Sequence, residues 1–426
     1  MLGVFLVCLF LFIAIGIPIA FSLFLTGACL IVYMGQANFV LLPQYTLMGV
    51  NNFALMAIPF FTLAGDIMNE GGLSLGIISF VRSILGHIKG GLGYVATVAC
   101  MIFAGVSGAA VADTSAIGSV LLPIMEKEGY DKAESAAIVC SAGCTGPIIP
   151  PSIPMVVYAV IAGCSVTKMF LGGVFPGILT GILLMGAWFF YMKNKKLPVG
   201  KRSSVKVIIR ETWKAAPSLM LPVIMLGGML SGIFTPTEAS SVAVVYALVV
   251  AFIINRGLKF AVLRKMFVNA ALASSVIMLV VGAAQAISYL VTVGRVPQLL
   301  GAAITSISDN PLVILAVING VVLLVGCVMD VSPAIMVLAP IFLPIATRQM
   351  GLDPAFFGVI LVYGLCIGLI TPPVGNVLYI GCSIAQISLI QLLKKIWPMV
   401  CVYILVLFIM SYFPTLVMWL PNKLMG

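Results

Sequence analysis

The chain has 426 residues, 62% of them hydrophobic and 8% charged, with a mean hydropathy of +1.24. Soluble domains carry about 25% charged residues, so a water-soluble globular protein is excluded. The net charge of +10 arises from 22 Lys and Arg against 12 Asp and Glu. These cations gather in a few loops between apolar stretches, which fits membrane orientation and argues against nucleic-acid binding. Apolar runs of about 20 residues recur, as in a polytopic helical membrane protein. The ten-residue alternation of an outer-membrane barrel does not occur. Ten cysteines are scattered through apolar segments beside a lone histidine, His87. Nothing near Cys140 and Cys144 completes a metal site, so they read as small packing residues.

In chain order, residues 3–33 form one apolar stretch with Gly16-Ile-Pro18 in the middle. At 1.5 Å per residue it is about 46 Å long, which predicts two short helices meeting at the Gly-Pro break. No Lys or Arg precedes Arg82, so the amino-terminal run reads as a first membrane helix and not as a cleaved signal. A helix over 54–68 follows, then an interfacial arm over 73–88 carrying Arg82 and His87. Residues 91–125 read as a re-entrant hairpin with Asp113-Thr-Ser115 near its tip. A helix from 136 breaks at Gly146, Pro147, Pro150 and Pro151, because each proline removes a donor and clashes one turn back. It resumes over 155–163, and a span covers 170–192.

The segment 193–214 holds Lys193, Lys195, Lys196, Lys201, Arg202, Lys206, Arg210 and Lys214 against Glu211 alone. That excess marks the cytoplasmic side and divides two halves. Beyond it, residues 216–254 mirror the first stretch around Gly232-Ile-Phe-Thr-Pro-Thr-Glu238, and Arg256, Lys259, Arg264 and Lys265 return the chain to the cytoplasm. A span over 274–290, an arm from Arg295 to about Ser308, a second hairpin over 312–345 and a helix over 356–370 follow. A final span is expected over 399–420. Glu238 and Asp66 are expected to cap or brace scaffold helices, and Lys168 and Arg295 to snorkel to the interface.

The halves repeat each other. Cys144-Thr-Gly-Pro-Ile-Ile-Pro-Pro151 returns as Cys366-Ile-Gly-Leu-Ile-Thr-Pro-Pro373 at an offset of 222, and Asp113-Thr-Ser115 returns as Asp330-Val-Ser332 at 217. The two offsets imply five extra residues in the second copy. Duplicated broken helices are the sequence pointer to a transporter site. Free carbonyls there suit a cation and free N–H groups an anion. Ser107, Thr114, Ser115, Thr145, Ser332 and Thr371 add hydroxyl oxygens, a donor set suited to Na⁺. Asp113 and Asp330, charged at membrane depth, read either as Na⁺ ligands or as helix caps. No cation lies within either break, so an anionic substrate would rest on helix N-termini together with Asn376. Ser115, Pro150, Pro151, Ser332 and Pro373 are placed around the same substrate. No phosphate-binding Gly-x-x-x-x-Gly-Lys-Ser/Thr occurs, and no clustered carboxylates suggest an enzyme.

These motifs are those of a known family. Phe103-Ala-Gly-Val-Ser-Gly-Ala-Ala-Val-Ala-Asp-Thr-Ser115, Gly146-Pro-Ile-Ile-Pro-Pro-Ser152, Gly232-Ile-Phe-Thr-Pro-Thr-Glu-Ala239 and Gly368-Leu-Ile-Thr-Pro-Pro-Val-Gly-Asn376 resemble the large membrane subunit of tripartite ATP-independent periplasmic (TRAP) transporters, over nearly the whole chain. The resemblance implies an all-α elevator fold of two inverted repeats, each with a re-entrant hairpin and a broken transmembrane helix. Scaffold and arm helices would occupy 1–90 and 216–311, and the mobile transport domain 91–192 and 312–426, with the basic linker at 193–215. It further implies Na⁺-driven import of an organic acid (a sialic acid, C4-dicarboxylate or sugar acid) across the bacterial inner membrane. The acid would come from a periplasmic binding protein, with a small four-helix membrane subunit as a separate chain. Na⁺ is the coupling ion and no other cofactor is expected.

By analogy with divalent-anion/Na⁺ symporters, one Na⁺ would lie among Ser107, Gly108, Asp113, Thr114, Ser115, Gly143, Thr145, Gly146 and Pro147. A second would lie among Gly326, Asp330, Ser332, Gly368, Thr371 and Pro372. A stand-alone symporter of that kind is the alternative reading, and a membrane-embedded enzyme the more distant one.

Overall fold

In a bilayer the backbone must satisfy its own hydrogen bonds, and the described residues do so entirely as helices and turns. The computed structural model describes residues 1–35, 38–195, 200, 202–255, 257–305 and 310–425. Lys196, Lys201, Arg256 and Ser308, used above as loop markers, lie outside them.

The first half opens with α1 (Leu2–Ala14) and α2 (Ile19–Tyr33), parted where Gly16 takes φ 91° and Pro18 caps α2. An unanticipated helix, α3 (Leu41–Val50), meets α4 (Ala57–Glu70) at a 61° bend. The arm is α5 (Leu73–Leu85). The hairpin is α6 (Gly91–Ser107) and α7 (Ala110–Lys127). The broken helix is α8 (Lys132–Gly143) and α9 (Ile153–Ala162), followed by the span α10 (Val166–Met192).

The second half repeats the order. It runs through α11 (Val205–Leu230), α12 (Pro236–Val249) with a π-helical turn after it, α13 (Phe260–Val293) and the arm α14 (Val296–Thr305). The second hairpin is α15 (Pro311–Val328) and α16 (Val331–Pro344), and the second broken helix is α17 (Pro354–Gly368) and α18 (Asn376–Ala385). The chain closes with α19 (Leu389–Tyr412) and α20 (Pro414–Met425). The span expected over 399–420 is thus two helices, parted at Pro414. Its start was hidden because Lys394 and Lys395 depress the local hydropathy, whereas Lys395 is in fact neutralised by Glu134 at 2.9 Å. Among the described residues, seven helices are long and apolar enough to cross a bilayer, or eight if the bent pair counts as one.

Packing follows the duplication. α6 packs on α8 as α15 packs on α17, and α7 packs on α18 as α16 packs on α9. The sense of the halves can be read along α10, whose 27 residues span about 40 Å. Just beyond its carboxyl end, Lys195 pairs with Glu134 in the first turn of α8, and Trp188 donates to the Gly90 carbonyl at 2.8 Å. Near its amino end, Lys168 pairs at 2.7 Å with Asp353, the residue that caps α17. The starts of the two broken helices, α8 and α17, therefore lie at opposite ends of α10. The centre is sealed by tyrosines whose hydroxyls all find partners, as buried phenols need. Tyr363 meets Thr180 at 2.7 Å, and Tyr403 donates to the Ser141 carbonyl at 2.6 Å.

Lys168, expected at the interface, braces the start of α10 to the start of α17. Glu238 does cap its helix, closing a capping box with Thr235. Partial burial pushes the Asp353 carboxyl up, but Lys168 and the Ala355 and Phe356 N–H groups outweigh it and hold the group below the usual range. A depressed carboxyl contributes stability that is full above its unfolded value of about 3.9 and is lost as pH falls through the folded value. The thermal-midpoint gap between the wild type and Asp353→Asn should accordingly stay constant above about pH 5 and shrink below about pH 4.

Candidate functional site

Both hairpins turn with their tips against the broken helices. At the first tip, Gly108 takes φ 61°, and a methyl there would overlap the Pro151 carbonyl. Ala109 is extended and α7 begins at Ala110, which places Asp113 one turn inside the helix, fully buried. One carboxylate oxygen of Asp113 accepts from the Ser107 hydroxyl. The other has no hydrogen-bond partner, and neither does the buried Thr114 hydroxyl. Both atoms face the break in the neighbouring helix. A methyl on Gly146 would overlap the free Asp113 oxygen, and one on Gly143 would overlap Thr114 Oγ1. The Thr145 hydroxyl donates to the Ala142 carbonyl at 2.7 Å and keeps lone pairs free. Ser115 is half-buried on α7. A carboxyl oxygen and a hydroxyl buried without partners are costly alone, and a small hard cation is a species that would satisfy both.

The second tip is built differently. Asp330 is exposed and caps α16, its carboxylate accepting from the Val331 N–H at 2.8 Å. Gly326 lies backbone to backbone with Gly368, where a methyl would overlap the Gly326 carbonyl. The Thr371 hydroxyl donates to the Ile367 carbonyl at 3.0 Å and sits 3.2 Å from Cys327 Sγ.

The structural register corrects the sequence pairing of the two aspartates. The residues that cap the returning helices are Ala109 and Asp330, so Asp113 corresponds to Ala334. Twenty residues separate Ala109 from the left-handed Gly129, and twenty-one separate Asp330 from the left-handed Gly351. The hairpins thus differ by one residue and not five, and the π-helical turn Ile345–Gln349 takes up the extra one. The offset of 217 misled because it differs from 221 by about one helical turn, which preserves the apolar pattern.

A cavity of about 160 Å³ joins the two tips. It is walled by residues 108–111 and 330–332, by Pro147, Ile153 and Pro154 of the first break, by Leu369 of the second and by Ile277 of α13. Three helix N-termini, those of α7, α9 and α16, open onto it, and no Lys, Arg or His is among the residues lining it. The free first-turn N–H groups suit an anion. Of the predicted residues, Gly108, Pro147, Asp330 and Ser332 line the cavity. Pro150 and Pro151 are buried behind the first tip, Pro372 is half-buried and Pro373 is exposed. The Pro373 carbonyl accepts from Tyr379 at 3.2 Å, and Asn376 begins α18 away from the cavity lining. Both Pro-Pro bonds are cis. Ile277, Ile153 and Leu369 escaped sequence reasoning, since an apolar residue in an apolar helix carries no signal.

The profile of the family described as "Tripartite ATP-independent periplasmic transporter, DctM component" matches residues 6–416. The chain is 39% identical over 420 residues to the 2,3-diketo-L-gulonate TRAP transporter large permease protein YiaN of Escherichia coli, covering 99% of this chain and 98% of that protein. It is also 39% identical over 373 residues to the C4-dicarboxylate TRAP transporter large permease protein DctM of Pseudomonas aeruginosa, covering 88% and 87%. In fold it is similar to the YdaH transporter of Alcanivorax borkumensis, with a TM-score of 0.65 at 14% identity, covering 88% of this chain and 87% of that one. With its helical hairpins, broken helices and near full-length match, the chain belongs to the DctM family, the large permease component of tripartite ATP-independent periplasmic transporters.

Proposed function

We propose that this permease couples import of an organic acid to Na⁺, with the acid held in the cavity between the two hairpin tips. The observation that carries the reading is the pairing of three helix N-termini with the carboxylate of Asp330 around one small space. An acid drawn to the N-termini meets Asp330 as a like charge. At about 5 Å and an effective dielectric of 20 that repulsion is about 3 kcal/mol. A cation held beside Asp330 removes it, so cargo and ion favour each other's binding. The orphaned oxygens of Asp113 and Thr114 supply a second cation position, with Ser107, Gly108, Ser115, Gly143, Thr145, Gly146 and Pro147 around it. Gly326, Ser332, Gly368, Thr371 and Pro372 surround the position near Asp330.

Movement follows an elevator scheme. Residues 91–192 and 312–426 carry the cavity, against a scaffold of 1–90 and 216–311 joined through the basic linker 193–215. Ile277 supports this division, because it is the scaffold side chain on the cavity wall and a sliding transport domain would leave it behind. The named substrates of the relatives, a diketogulonate and C4-dicarboxylates, support a carboxylate cargo. A tripartite system supplies a periplasmic binding protein and a small four-helix membrane subunit as partners.

The test is uptake of a radiolabelled acid into proteoliposomes holding the permease with both partners under an imposed Na⁺ gradient. Uptake should need both partners and collapse with a Na⁺ ionophore. Uptake by the permease alone would favour the stand-alone symporter, and indifference to Na⁺ would end the coupling claim. In the same assay Asp330→Asn should raise the half-saturating Na⁺ concentration about tenfold, the worth of one charge-assisted contact.

A further inference from the structure

The cytoplasmic edge of the scaffold carries a feature that transport does not use. A groove of about 510 Å³ lies between the turn joining α4 to α5, the third and fourth turns of α11 and the loop joining α12 to α13. Gly71, Gly72 and Gly257 line it together with Leu75, Trp213 and Lys214. We propose that this groove holds the headgroup of an anionic phospholipid from the inner leaflet.

Charge is the first support. Lys206, Arg210 and Lys214 recur every four residues, on one face of α11. Lys259, Arg264 and Lys265 follow the loop on the other side of the groove. All six are exposed. Lys214 pairs with Glu211 at 2.7 Å, and among the described residues the other five have no ion-pair partner. So dense an unpaired field at the cytoplasmic leaflet attracts anionic lipid.

The second support is shape. Trp213, which lines the groove, is 76% exposed, and Phe260, which opens α13 just after the lining residue Gly257, is 81% exposed, so aromatic rings are presented beside the groove at the headgroup level. Phe260 is held in place by Phe252, with ring centroids 4.9 Å apart. Below Trp213, the exposed Met220 and Val223 continue along α11 into the apolar layer, a rail for an acyl chain. Polar contacts come from Lys214 and Asn255, whose amide already donates to the Gly71 carbonyl at 3.3 Å. A free phosphate would use the cations and leave the aromatic flanks unused, so a lipid fits better than a soluble anion.

Native mass spectrometry of the purified permease, released from nanodiscs of equal phosphatidylglycerol and phosphatidylcholine, tests this. The wild type should retain phosphatidylglycerol selectively. Each basic residue near a charged surface is worth roughly fivefold, so the double variant Arg210→Ala/Lys214→Ala should bind it about twenty-five-fold more weakly. Brominated phosphatidylglycerol should quench the tryptophan emission of the wild type more than that of Trp213→Phe, a readout independent of the charge change. Equal retention by wild type and variant would overturn the proposal. So would displacement by millimolar inorganic phosphate, which would mark a site for a soluble anion.

Discussion

Asp113→Asn is expected to abolish Na⁺-driven uptake while leaving the permease folded. The carboxylate is fully buried, Ser107 holds one oxygen, and the other meets the break at Gly146 with no donor. Asparagine keeps the shape and removes the charge. Losing one partner from a buried ion pair costs about 3–5 kcal/mol, so Na⁺ affinity should fall by roughly two to four orders of magnitude. Stability separates this from a structural role. Without Na⁺ a buried carboxylate is a liability, so the variant's thermal midpoint in Na⁺-free buffer should equal or exceed the wild type's. A variant destabilised equally with and without Na⁺ would make Asp113 a packing element and remove it from the ion site.

Gly368→Ala should be the most damaging glycine substitution in the second repeat. An added methyl would overlap the Gly326 carbonyl, and a backbone atom cannot rotate away as a side chain can. The second hairpin would have to lift from the broken helix, a loss of about 3 kcal/mol or more. Gly326→Ala is a graded control, since its methyl would stand 3.2 Å from the Leu365 carbonyl. Gly320→Ala has nothing within 4 Å and should be neutral or stabilising. Thermal unfolding of the three purified variants should rank them in that order. Equal midpoints for Gly368→Ala and Gly320→Ala would mean that hairpin and break are not held together here.

Much of this architecture could be read from residue patterns because the membrane leaves so few choices. Gly16-Ile-Pro18 and Gly232-Ile-Phe-Thr-Pro236 had to part helices, and the prolines after Gly146 and Gly368 had to end them. The elements that escaped did so for physical reasons. α3 is short and carries Pro43 and Gln44, so it lacks a span's hydropathy, and α19 carries Lys394 and Lys395 near its start, of which Lys395 is compensated by the buried Glu134. In the site, Asp113, Thr114 and Gly146 stood out as polar or backbone-exposing residues in an apolar context. The register error arose because helical periodicity tolerates a slip of one turn. Only packing shows that Asp330 caps a helix at the cavity while Asp113 is sealed inside, or that Ile277 reaches the same space from α13.

This multi-pass permease of the bacterial inner membrane is a transporter component and not an enzyme, so binding equilibria are the natural test. The central claim is that the broken helices and hairpin tips jointly hold a cation. A ligand that binds the folded state alone raises the unfolding midpoint with its concentration. Titrating the purified permease with NaCl at constant ionic strength, using KCl and choline chloride as replacements, should raise the midpoint in a saturable manner with Na⁺ alone. An equal response to K⁺ and choline, or no response to any of them, would contradict the account.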